Sequence, residues 1–179
     1  MKQEDAVYDR APHKTVWILL ILWAFFSACG YQFAGGGNFP AGITSVSINM
    51  FENRTAETGV ENVFTNDLIY EVTRDKKVAL TSTNTADAIL VGVIASMRTD
   101  TITHKGAYTS LERRVAVSVD LKMEDRNGRV IWTAKGVSAN EVYDVASDKQ
   151  TTEQNRRTAI STLSKRLAET IYHRLTEDF

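Results

Sequence analysis

The chain has 179 residues, enough for one domain with a single core plus a terminal segment, and too few for a multi-domain reading. Apolar residues make up 43% and charged residues 24%, the balance of an ordinary globular protein, so neither a disordered nor a uniformly membrane-embedded chain fits. A formal net charge of -1 provides no broad basic face to neutralise a run of phosphates, which excludes nucleic acid as the expected partner.

The first 28 residues read as a lipoprotein signal peptide. Lys14 precedes an apolar run from Thr15 to Ala28, only 14 residues long, whereas a bilayer-spanning helix needs about 20. Small residues Ser27 and Ala28 end the run, and the single cysteine of the chain, Cys29, follows at once. A basic flank, a short apolar core and a small-residue exit describe a cleavable export signal. Phe26-Ser27-Ala28-Cys29 is similar to a lipobox, although Phe26 stands where Leu is commonest. Cys29 is therefore expected to carry a diacylglyceryl and N-acyl lipid, and Gly30 after it is compatible with sorting to the outer membrane. With one thiol, neither an intrachain disulfide nor a thiolate metal cluster can form.

Residues 29–44 are expected to be the lipidated cysteine and a Gly-rich flexible tether. No Walker lysine accompanies these glycines, so they do not read as a phosphate loop. Residues 45–179 are expected to form the single α/β domain. Val46, Ile48 and Met50 alternate with Ser45, Ser47 and Asn49, predicting a half-buried strand. Thr58 and Glu61 are spaced as a capping box for a helix starting near Gly59, with Val60, Val63, Phe64, Leu68 and Val72 on its apolar face. Val78 to Leu80 reads as a short strand.

Three longer strands are predicted over Ala88–Thr103, Leu111–Glu124 and Arg129–Tyr143. In the middle one Val115, Val117, Val119, Leu121 and Met123 should face the core, with Arg114, Ala116, Ser118, Asp120 and Lys122 on the wet side. Asn127-Gly128 predicts a tight hairpin turn to the last strand. Thr151 and Gln154 suggest a second capping box, opening an amphipathic helix with Ile160, Leu163, Leu167, Ile171 and Leu175 inward. The expected fold is α+β: a two-layer sandwich with two helices on one face of a mixed four- to five-stranded sheet.

Catalytic and metal-binding residues are not expected. After the leader only His104 and His173 remain, neither in a ligand-spaced motif. Asp67 and Glu71, at i,i+4, read as solvated helix acids and not as an acid–base pair. With no nucleophile–base arrangement to point to, the chain reads as a binding protein and no enzyme.

Four pieces of sequence, in order, carry a family resemblance: Cys29-Gly30-Tyr31, Phe51-Glu52-Asn53-Arg54-Thr55, Ala86-Asp87-Ala88-Ile89-Leu90-Val91-Gly92, and a valine-rich strand before Gly128 and Trp132. Over most of residues 29–176 the chain resembles the lipopolysaccharide-assembly lipoprotein family LptE. That resemblance implies lipid anchorage at the periplasmic face of the outer membrane. It also implies partnership with an LptD-type β-barrel, which the lipoprotein plugs, and binding of lipopolysaccharide through basic side chains at one end of the sheet. On this footing Lys105, in Thr103-His104-Lys105-Gly106, and Lys149, before the last helix, are the lipopolysaccharide-binding candidates. The alternative reading is an envelope lipoprotein that activates a peptidoglycan synthase or forms part of a secretion channel; a periplasmic hydrolase is a third.

Overall fold

The computed structural model describes Phe39 and residues 42–102 and 111–177. Cys29, His104 and Lys105 lie outside the described residues. Within the described residues six strands and two helices follow one another as β1 (Ser45–Ile48), β2 (Glu52–Asn53), α1 (Val60–Asp75), β3 (Ala79–Leu80), β4 (Ala88–Ile102), β5 (Glu112–Asp125), β6 (Val130–Asp144) and α2 (Lys149–Glu177). The sheet runs in the order β3-β1-β4-β5-β6, with β2 paired to β4 further along. β1 pairs in parallel with β3 and β4, while β4–β5 and β5–β6 are antiparallel hairpin pairs, so the sheet is mixed as expected.

The two-residue β2 is the strand that periodicity missed. It holds register with Val93 and Ile94 of β4, and too few residues alternate there to leave a signal in the sequence. It brings the strand count to six against the expected four or five.

Both helices pack on one face. Val115, Val117, Val119, Leu121 and Met123 are all buried, as the alternation predicts, and meet Val60, Phe64, Leu68 and Val72 of α1 and Leu163, Leu167, Ile171 and Leu175 of α2 in one core. Val63, assigned to the apolar face of α1, instead lies at its margin and is exposed; Thr65 takes the inward position, its hydroxyl accepting from Phe51 N at 3.0 Å. Each large aliphatic side chain buried here contributes roughly 1.5–3 kcal/mol.

The helix starts differ from the expected capping boxes. Gly59 is the residue before α1, at φ 87°, a left-handed conformation that Thr58 would adopt only with strain. Of the predicted box only the carboxylate half forms: Glu61 accepts from Gly59 N at 3.1 and 3.2 Å. α2 begins at Lys149, two residues before Thr151, because Asp148 caps it by accepting from Thr151 N at 2.8 Å. Between β5 and β6 the turn over Arg126–Gly128 includes the expected Asn-Gly pair, but the Asp125 carboxylate closes it, accepting from the backbone of Asn127 and Arg129 at 2.9 Å each.

Candidate functional site

The antiparallel register gives the sheet two unlike ends. At one, here called proximal, β1 and β4 begin side by side, with Val46 opposite Ala88, and the β5–β6 turn lies beside them. At the other, the distal end, Ile102, Glu112 and Asp144 stand in one row across three strands.

The proximal end is a lock. One oxygen of Asp87 accepts four hydrogen bonds, from the backbone N–H groups of Thr44 and Ser45 at 3.1 and 3.0 Å and from both hydroxyls at 2.8 Å. The other oxygen meets Arg126 at 2.8 Å, tying the β5–β6 turn to the start of β4. Bonds from Ser45 and Thr44 to the ionised form bring the Asp87 carboxyl down to about 2. Phe39, which the sequence reading places in the tether, is buried here with its ring centroid 6.3 Å from that of Tyr172. The Tyr172 hydroxyl donates to Asp75, and burial together with that carboxylate raises its pKa.

A second lock joins β2 to α1. The Asn53 amide donates to Glu57 O at 2.6 Å and Glu61 Oε2 at 2.8 Å, while its oxygen accepts from the Thr55 N–H and hydroxyl at 2.9 and 2.7 Å. Phe51 is buried against Gly92, the closest approach of any side chain to a glycine of the sheet. Of the residues that carry the resemblance, Phe51, Asn53, Thr55, Asp87 and Gly92 are thus folding anchors.

The distal end holds the candidate ligand groups. Lys149 is the first residue of α2 and is exposed, at the rim of an open cavity of about 770 Å³ shared with Asp148, Glu153 and Arg157. Arg157 spends part of its charge on Glu153 at 3.5 Å. The connection carrying Lys149 is well braced: Val145 N donates to Leu111 O at 2.8 Å, Asn155 Nδ2 to Asp144 O at 2.9 Å, and the Thr152 hydroxyl accepts from Ala146 N at 3.0 Å. Arg156 clamps α2 to the segment before α1, donating to both oxygens of Glu57 at 2.8 and 2.9 Å and to Glu153 at 3.1 and 3.2 Å. Those carboxylates raise the Arg156 pKa further. The chain that bears Lys105 leaves β4 at Ile102 and enters β5 at Glu112, on the same row as Asp144.

The distal end also contains a polar pair that sequence reading passed over. Arg113 is half-buried and stands opposite Tyr143 on the helix side of the sheet; the Tyr143 hydroxyl is buried without a hydrogen-bond partner. The valine alternation in β5 announces which face Arg113 occupies, but not how far it is covered.

Asp67 and Glu71 are not the solvated acids expected. Glu71 is 6% exposed and pairs with Arg74, and one Asp67 oxygen is shielded without a partner, because both lie in the groove between the helices opposite Lys165 and Glu169. The groove is polar, lined also by Tyr70 and Arg74, and Asp67 within it is half-buried. His173 is exposed on α2, 3.8 Å from Glu177. Among the described residues no group of three or more His, Cys, Asp or Glu is arranged to hold a metal, and no helix is long and apolar enough to cross a membrane.

Comparison with solved structures gives the same architecture. A minor lipoprotein from Acinetobacter baumannii matches with a TM-score of 0.52 at 20% identity, over 78% of this chain and 95% of that one. An uncharacterised lipoprotein B from Nitrosomonas europaea matches with a TM-score of 0.52 at 12% identity, over 83% and 92%. Identities this low speak for the fold alone. No curated protein sequence matches the chain. The family model described as LptE, lipopolysaccharide-assembly, matches residues 43–175, which is most of the chain and all but the last turn of the helix-and-sheet domain, and the protein belongs to that family.

Proposed function

We propose that this protein is an outer-membrane lipoprotein, anchored through lipid on Cys29 at the periplasmic face, that plugs an LptD-type β-barrel and binds lipopolysaccharide during its assembly at the cell surface. The family match over residues 43–175 carries this reading. The helix-free side of the sheet supports it. There Arg98, Asp100, Arg114, Ser118, Asp120, Lys122, Ser138 and Asn140 present a mostly polar surface across three strands of 14 to 15 residues. The lumen of an outer-membrane barrel is polar, so a plug needs such a face and not a greasy one. Lys149 supplies an exposed cation, and Lys105 is proposed as its partner in meeting lipopolysaccharide phosphates. The role is one of binding; the proposed lipid on Cys29 is the only added group it calls for.

Purification of the native chain from outer membranes tests the proposal: an LptD-type barrel should co-purify. Recovery of a peptidoglycan synthase or a secretion channel in its place would favour the alternative. Cys29→Ser should abolish lipidation by mass spectrometry of the mature N-terminus. Lys105→Asp combined with Lys149→Asp should weaken lipopolysaccharide binding with the fold intact, since exposed charges rarely contribute more than about 0.5 kcal/mol to stability.

A further inference from the structure

We propose that the free edge of β4 beyond β2 is a self-association surface: a second copy of this chain adds its own β4 antiparallel about Thr99, and Arg98 of each copy pairs with Asp100 of the other. The pair concerns the chain free of any barrel and does not rest on the function proposed above.

Leu111 O accepts from Val145 N at 2.8 Å, so the odd-numbered residues at the start of β5 bond to β6 and the even-numbered ones to β4. Ser96, Arg98, Asp100 and Ile102, which stand opposite even-numbered residues of β5, spend their backbone groups on that strand. Met97, Thr99 and Thr101 turn theirs the other way. On that side β2 covers only Val93 and Ile94, and its line ends where Arg54 N donates to Ile94 O at 3.1 Å. From there to Ile102 no described strand lies alongside.

The other edges are guarded. β3 is two residues long. In β6 a bulge with Gly136 at φ 64° breaks the line, and side chains of α2 cover two outward carbonyls, Arg166 donating to Asn140 O and Asn155 to Asp144 O at 2.9 Å each. Sheets blunt their edges by such means because unpaired N–H and C=O groups template further strands. Between Met97 and Ile102 there is no proline, and among the described residues no side chain caps a backbone group, so this edge stays open to another strand.

Its sequence fits a second copy. With the strands antiparallel about Thr99, Met97 faces Thr101 and Arg98 faces Asp100, and the two-fold axis repeats both pairs, giving about six backbone hydrogen bonds. Arg98 and Asp100 are 70% and 58% exposed and share the helix-free face. They fall in the non-hydrogen-bonded pairs, where opposite side chains come closest. A slip of one step to either side sets Arg98 against Arg98 or Asp100 against Asp100, which repulsion disfavours. The two residues that strengthen the pair therefore also select its register. About seven residues a side, against the roughly 20–30 of a standard interface, make the association weak. Chains held at one membrane surface by the proposed lipid meet at a raised effective concentration.

The test uses the purified full-length chain in detergent, with the wild type as control for Cys29. Opposite residues of a hydrogen-bonded pair have Cα atoms about 5.5 Å apart, within reach of a disulfide. Under mild oxidation Thr99→Cys should form a covalent dimer on non-reducing electrophoresis at least about tenfold faster than Thr133→Cys, an exposed threonine on β6. Adding Arg98→Asp should slow that reaction about tenfold, and adding Asp100→Arg as well should restore it, because the swapped charges again face their opposites. In the wild type the amides of Met97, Thr99 and Thr101 should gain protection from hydrogen exchange as the protein concentration rises. Crosslinking no faster than at Thr133, or indifferent to the charge reversal, would overturn the self-pairing. Protection that is already complete at the lowest concentration would mean that another segment of the same chain covers the edge; protection that appears only when a barrel protein is added would assign the edge to that partner. Either result would overturn the proposal.

Discussion

Replacing Gly92 by alanine should strain the junction between β2 and β4 more than any other single-methyl change in the sheet. A Cβ at this position would lie 2.6 Å from Phe51 Cε1 and 2.7 Å from both Cδ1 and Cζ. Carbon atoms at rest sit about 3.5–4.0 Å apart, so the ring must retreat by about 1 Å. It has little room, since Phe51 is 3% exposed and its neighbours on β4, Leu90 and Ile94, are 1% and 0% exposed. Its own backbone is held as well, by the bond from Phe51 N to Thr65 on α1. Overpacking of this kind costs about 1–3 kcal/mol, which for a domain of this size lowers the melting temperature by roughly 4–12 °C. Thermal and urea unfolding of Gly92→Ala, Phe51→Leu and the double variant measure the effect. The double variant should be less destabilised than the two single losses added together, because the smaller side chain leaves space for the new methyl. An alanine variant within about 0.5 kcal/mol of wild type, or strict additivity in the cycle, would refute the packing argument.

Val117, 2% exposed at the centre of β5, should not tolerate an acid: Val117→Asp buries a carboxylate without a counter-charge, at a cost comparable to the whole ~5–15 kcal/mol stability of a domain, and circular dichroism should report an unfolded chain. A folded Val117→Asp protein would mean that the facing of the strand is wrong. Arg156→Lys keeps the charge but loses the two-pronged grip on Glu57, and should lower stability by about 1–2 kcal/mol in denaturant titration; equality with wild type would reduce the clamp to a surface ion pair. Asp87 predicts a pH dependence. Its folded pKa of about 2 lies below the ordinary 3.8, so its contribution is complete above about pH 5 and is lost as the pH falls toward 2. The melting temperature of Asp87→Asn should therefore fall less steeply than that of wild type across this acid window; parallel curves would show that the lock is not electrostatic.

The long elements were legible because their signals are repeated. Five inward residues in β5 alternate without a break, and the apolar positions of α2 recur over its length, so neither a turn nor a cap could disguise them. The ends were not legible, because each depends on a single contact. Thr58 and Thr151 sit at correct capping distances, yet the left-handed Gly59 and the better-placed Asp148 won at the two helix starts. Register shifts in β4 and β6, the latter including the bulge where Gly136 N donates to Asp120 at 2.8 Å, likewise answer to neighbouring strands and leave no local mark. Glu71 was misread for a related reason: helical spacing gave its angular position but not the approach of α2, which covers it. Of the candidate site, Lys149 was nominated through family resemblance, whereas the burial of Arg113 and Tyr143 could be read only from the elements packed around them.

Anchors and candidate ligand groups occupy different ends of the same strands, and this separation has a physical consequence. Asp87, Asn53, Phe51 and Gly92 each satisfy several backbone or packing constraints at once, so a change at any of them is felt by two or three elements. Lys149 and Arg113 satisfy none: the first is exposed and the second has no partner among the described residues. Residues of the second kind can change with little penalty to stability, so a rigid sheet can carry different charge patterns at its distal end.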